Sequence, residues 1–119
     1  MTYHVAENKP FLMHRPVADV PQETLDQMTE FARRFPCLED AEGVAPWDPE
    51  LLGTWACRED ETSAAQLWTT GFVLSVWDHN GEEELFDLHA AVKEWDDVHM
   101  EAFIDWCRNP WWPENESKP

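Results

Sequence analysis

Between Asp19 and Pro36 the apolar residues Leu25, Met28, Phe31, Ala32 and Phe35 recur at intervals of one helical turn, with polar or charged residues between them. That period predicts an amphipathic helix that starts at Asp19 or Val20, carries Pro21 in its first turn and stops at Pro36. A second start signal stands in "WDPELLGTWACRED". Asp48 suits the N-cap, Pro49 suits the first helical position, and Trp47 and Leu52 occupy the two positions of a hydrophobic staple, so a short helix to about Cys57 is expected. Near the C-terminus, Asp87 precedes Leu88, Ala91, Val92 and Trp95, and Asp96 precedes Val98, Ala102, Phe103 and Trp106, with Pro110 as the stop. Each aspartate predicts a capped helix that carries those residues.

The stretch from Ala64 to Trp77 reads in two ways. Ala64, Ala65, Leu67, Trp68, Phe72 and Val76 fit a helix face, whereas "GFVLSVW" has the β-branched and aromatic content of a buried strand. Length favours the helix, while Thr69, Thr70 and Gly71 oppose it as poor helix formers. "HNGEEE" then reads as a turn around Asn80-Gly81. The expected fold is mainly α: a small single-domain bundle of four or five short helices with a tryptophan-rich core, the local alternative being one short strand or hairpin near 71–86. The domain is expected to span 1–113, with 1–20 as an extended arm anchored by Phe11, Leu12 and Met13, and 114–119 as a flexible polar tail.

Composition sharpens this picture. A chain of 119 residues suits one core. Its 43% apolar content and eight tryptophans supply the buriable surface that disordered chains lack. The 25 acidic residues against 8 basic ones give a formal charge of -17. Such a field repels phosphate backbones and anionic headgroups, which argues against direct nucleic-acid or membrane binding and favours encounters with a basic protein surface. Solubility alone is the plainer reading of the same charge. Cys37, Cys57 and Cys107 form no CxxC pair, and the N-terminus shows neither a basic leader nor an apolar signal segment. Reduced thiols and cytoplasmic residence are therefore expected.

Trp-Asp pairs occur at Trp47-Asp48, Trp77-Asp78 and Trp95-Asp96. Their unequal spacing and the short chain rule out propeller blades. A capping role explains the first and third pairs, and the second reads as a helix or strand exit. His99 shares a helix face with Trp95, Phe103 and Trp106, where a histidine is usually a satisfied, half-buried residue. His79, His89 and His99, with Asp96 and the neighbouring Asp78, Asp87 and Asp97, form the one set that could hold zinc, iron or manganese in a small metal-dependent enzyme. Their spacing matches no metal motif, and no cofactor is called for. Catalytic nucleophiles are also lacking in pattern: there is no GxSxG or phosphate loop, and the acids that follow Cys57-Arg58 oppose thiolate formation.

Two acidic clusters remain, Glu59, Asp60 and Glu61 after Arg58, and the run Glu82, Glu83, Glu84. They read as solvated loops or as a patch that meets a basic groove, with mimicry of DNA as a further alternative. In "NPWWP", Pro110 and Pro113 fence Trp111 and Trp112 into an extended segment that either folds back on the core or offers aromatic anchors.

The string "FDLHAAVKEWDDVHMEAFIDWCRNPWWP" resembles the C-terminal half of a group of small uncharacterised bacterial proteins, which share W-D-x-x-H, a helix with F and W, and a final P-W-W. "GFVLSVWD" and "PWDPELLGTWA" are similar to their other shared segments, so the resemblance spans most of residues 46 to 113. It implies a self-contained fold and transfers no activity, partner or functional residue. The sequence thus points to a non-enzymatic acidic module for a basic protein, with Glu59, Asp60, Glu61, Glu82, Glu83 and Glu84 steering and Trp111 and Trp112 anchoring.

Overall fold

The computed structural model describes residues 17, 18, 20–58, 60–78 and 86–113. The expected anchor at Phe11 to Met13, the turn at Asn80-Gly81 and the C-terminal tail lie outside them. The described part is mainly helical: five α-helices and a short 3₁₀ turn enclose a core rich in Trp and Phe, with no strand among the described residues.

Helix α1 spans Gln22–Arg33. Pro21 stands in front of the helix rather than in its first turn. Its backbone is extended (ψ 143°), and its carbonyl accepts the N–H groups of Thr24 and Leu25. At the other end the helix stops before Pro36, which opens the 3₁₀ turn Pro36–Leu38. Phe35 between them is extended, so its ring drops into the core and is fully buried.

Helix α2, Pro49–Ala56, starts as its sequence dictates: the Asp48 carboxylate accepts the N–H of Glu50 (3.1 Å) and of Leu51 (3.2 Å). Trp47 and Leu52 are both buried, as a staple requires. The loop before it turns at Gly43, whose φ of +91° lies in the left-handed region. A Cβ there would also collide with the backbone of Asp48 and Leu52.

Helix α3, Ala64–Trp77, resolves the ambiguous stretch as helix. Ser63 and Gln66 form a reciprocal capping box: the Ser63 hydroxyl accepts the Gln66 N–H (3.0 Å), and the Gln66 side chain accepts the Ser63 N–H (2.9 Å). From Thr69 to Leu74 every residue is buried. A helix apolar all round must be enclosed by others, and α3 packs against α1, the 3₁₀ turn, α2 and the next helix. Enclosure overrides the weak propensity of Thr69, Thr70 and Gly71.

Helices α4, Leu88–Glu94, and α5, Asp97–Arg108, are capped by Asp87 and Asp96, which accept the N–H groups of Ala90 and His99. Leu88, Val92 and Val98 are 46%, 45% and 53% exposed. Helix α4 turns Ala91 inward, and a methyl side chain lets its backbone approach α3 closely; Trp95, just past its end, supplies the bulk. At the centre, Phe72 has the rings of Phe31, Phe35, Phe86, Trp95, Phe103 and Trp106 at centroid distances between 5.0 and 6.4 Å. Most of these pairs meet edge to face, the arrangement that brings a positive ring edge to a negative ring face. No helix among the described residues is long and apolar enough to cross a membrane.

Candidate functional site

Beyond α5 the chain cannot remain helical, because Pro110 lacks an N–H and Asn109 has left helical geometry (φ -137°). Residues 110–113 form a strap laid back over the bundle. The Trp106 indole donates to the Trp111 carbonyl (3.0 Å), which ties the strap to its own helix. The Trp111 ring meets Phe31 of α1 edge to face at 5.2 Å, and Pro113 is buried. Trp112 lies between these two packed residues and is 45% exposed, its ring edge-on to Trp106 at 5.4 Å. The strap therefore covers core with Trp111 and Pro113 and leaves Trp112 partly exposed.

Beside it runs a shallow groove of about 260 Å³, lined by Gln27, Glu30, Phe31, Arg34 and Trp111. Arg34 donates to Asp105 (2.9 Å), which also meets Arg108 at 3.5 Å, so the ends of α1 and α5 are linked next to the groove. Both arginine contacts are at the surface, and each adds little to stability.

Of the acidic candidates, Asp60 and Glu61 lie exposed in the loop between α2 and α3, away from the strap in the chain and on different elements. Asp60 has positive φ (67°). Glu61 is paired with Arg58 at 3.2 Å, and that guanidinium also covers the Trp55 ring at 4.7 Å. Part of this cluster is thus occupied within the fold. Glu59, Glu82, Glu83 and Glu84 lie outside the described residues.

The histidine set is only partly described. His79 lies outside the described residues, and His89 is exposed in the first turn of α4. His99 and Asp96 do come together: the ring Nδ1 is 2.7 Å from the Asp96 carboxylate, and Nε2 accepts the backbone N–H of Cys37 at 3.1 Å. This pattern specifies the neutral ring with its proton on Nδ1, and it uses both nitrogens inside the protein. Among the described residues no three His, Cys, Asp or Glu side chains are placed to hold a metal. The hydrogen bonds from the His99 ring, and then from its backbone N–H, hold the Asp96 carboxyl below its usual range.

The same network continues through residues that sequence reading did not single out as connected. The Cys37 thiol contacts the Thr69 hydroxyl at 3.3 Å, and that hydroxyl accepts the Trp95 indole N–H at 2.7 Å. Gln66 donates to the Cys37 carbonyl at 3.3 Å. Burial pushes the Cys37 and Cys57 thiols up, so neither is activated as a nucleophile. The network locks the 3₁₀ turn to α3 and α5. A threonine inside an apolar helix was the one sequence signal of it; the partner thiol and indole are 32 and 26 positions away. Gln27 and Glu30 of the groove carried no signal at all, since they read as the solvent face of α1.

No family model matches the chain, and no curated protein or solved structure shows significant similarity to it.

Proposed function

We propose that this protein is a non-enzymatic acidic binding module that docks on another protein with a basic surface, inhibition of that partner being the effect to look for. The observation that carries the reading is Trp112: it is held 45% exposed on a strap whose neighbours Trp111 and Pro113 are packed down. A large aromatic presented from a pinned backbone loses little freedom on binding, which is why tryptophan is over-represented among residues that dominate interface energy. The formal charge of -17 supplies long-range attraction to a basic surface and raises the association rate. Asp60, with Glu59 and Glu82 to Glu84, would contribute to that field; Glu61 would contribute less because Arg58 already faces it. Free Cys37, Cys57 and Cys107 agree with a cytoplasmic setting.

The test is capture from native lysate on the immobilised full chain, eluted in steps of rising salt, alongside Trp112→Ala and a charge-reversed chain carrying lysine at positions 60 and 82 to 84. One basic protein should elute stoichiometrically at moderate salt from the unmodified chain and be absent from both variants. Capture that ignores salt, or that survives loss of Trp112, would rule the reading out.

A further inference from the structure

The groove between α1 and the strap combines an aromatic floor with one uncommitted charge. Phe31 and Trp111 form the floor, meeting at 72° with their centroids 5.2 Å apart. Glu30 and Gln27 stand exposed beside them, and neither side chain makes a hydrogen bond or ion pair among the described residues. The groove's own cation, Arg34, is already turned to Asp105 at 2.9 Å. What the groove offers a ligand is therefore a solvated carboxylate and an amide beside a partly buried indole. Its volume of about 260 Å³ equals roughly nine waters at ~30 Å³ each, room for one long side chain and too little for a folded segment.

We propose that this groove takes an arginine side chain of the partner protein. The guanidinium is planar and weakly hydrated, stacks on aromatic faces and pairs with a carboxylate, and these are the properties that Trp111 and Glu30 together select. The chain's net charge of -17 opposes an anionic occupant and draws a cation to the site. The inference deepens the binding reading and rests on it: Trp112 would pack on the partner's surface while the adjacent groove holds one basic residue.

The experiment is a titration of the full ¹⁵N-labelled chain with capped arginine amide, followed through the amide signals of Gln27, Glu30 and Phe31 and the Trp111 indole signal. Capped citrulline, of the same shape but uncharged, and capped lysine are the controls. Saturable shifts confined to these groups are expected with arginine, about fivefold weaker with citrulline and reduced about fivefold by Glu30→Gln. Glu30 is exposed, so this variant should keep the parent spectrum elsewhere. Equal binding of citrulline, equal binding of lysine, indifference to Glu30→Gln, or shifts spread over the whole acidic surface would each overturn the proposal. Partner capture that needs Trp112 but ignores Glu30→Gln would remove the groove and leave the binding reading intact. Arginine shifts in the groove without any salt-dependent partner would keep the groove and remove that reading.

Discussion

Thr69 and Thr70 are adjacent, both fully buried in the same helix, and physically opposite. The Thr69 hydroxyl accepts the Trp95 indole N–H at 2.7 Å, whereas the Thr70 hydroxyl has no hydrogen-bond partner among the described residues. Thr69→Val should therefore cost about 1–3 kcal/mol, because it strands a buried indole donor. Thr70→Val should be neutral or stabilising by up to ~1 kcal/mol, since it removes a buried group that gains nothing. Urea midpoints of the two variants decide this, and equal destabilisation would show that the indole contact carries no special weight. Asp96 makes a residue-scale claim about pH. Its folded-state pKa lies below the unfolded value, so its contribution is complete above the ordinary carboxylate range and is lost as pH falls through the folded value. Asp96→Asn should lower stability at about pH 7, and the gap from the parent should narrow as pH falls below the ordinary carboxylate range. Parallel stability curves for the two chains across that range would contradict the assignment.

Among the elements, local chemistry and enclosure play separate parts. Helices α2, α4 and α5 each begin at an aspartate whose carboxylate accepts backbone N–H groups, and α3 begins at a serine with a reciprocating glutamine. Ser63→Ala should cost about 1 kcal/mol, measured by thermal or chemical unfolding, and Ser63→Asp should recover most of it. Failure of aspartate to substitute would mean the side chain does something other than cap. Once started, α3 depends on its neighbours: its outward positions touch other helices, and a sequence with threonines and glycine in mid-helix has little reason to hold that form in water. For α4 the reverse is true. Two turns with Leu88 and Val92 outside leave only Ala91 fully buried. Its place depends on Trp95, whose ring lies stacked against Phe35 and Phe86 at 5.9 and 5.7 Å.

For the molecule as a whole, the strap packs one of two neighbouring tryptophans and leaves the other 45% exposed, so the proposed binding role and stability can be tested apart. Trp111 closes the bundle between α5 and Phe31, so Trp111→Ala should cost about 2–4 kcal/mol. Trp112→Ala should stay within about 1 kcal/mol of the parent while abolishing capture of the partner. Denaturation and capture on the same two variants test both halves, and a large loss of stability at Trp112 would make it a core residue instead. Salt adds an independent readout. Attraction between the -17 chain and a basic surface should weaken as ionic strength rises, mainly through the association rate, while the unfolding midpoint should change little.

The starts of α2, α4 and α5, the apolar face of α1 and the acidic field were legible in the sequence because each depends on residues within a few positions or on a sum over the chain. Asp48, Asp87 and Asp96 are caps by virtue of their immediate neighbours, and no distant contact alters that. Other features were closed to it. Whether residues 64–77 were helix or strand turned on what surrounds them, because an apolar run satisfies either period. Which of Trp111 and Trp112 would be buried could not be read from two identical side chains between prolines; the place of Phe31, 80 positions earlier, decides it. Likewise Glu30 and Gln27 look like any solvent-facing pair until Trp111 arrives beside them to line a groove. Short-range hydrogen bonding and net charge belong to the chain itself, whereas grooves, the exposure of one tryptophan over its neighbour and a histidine with both nitrogens engaged arise only where distant segments meet.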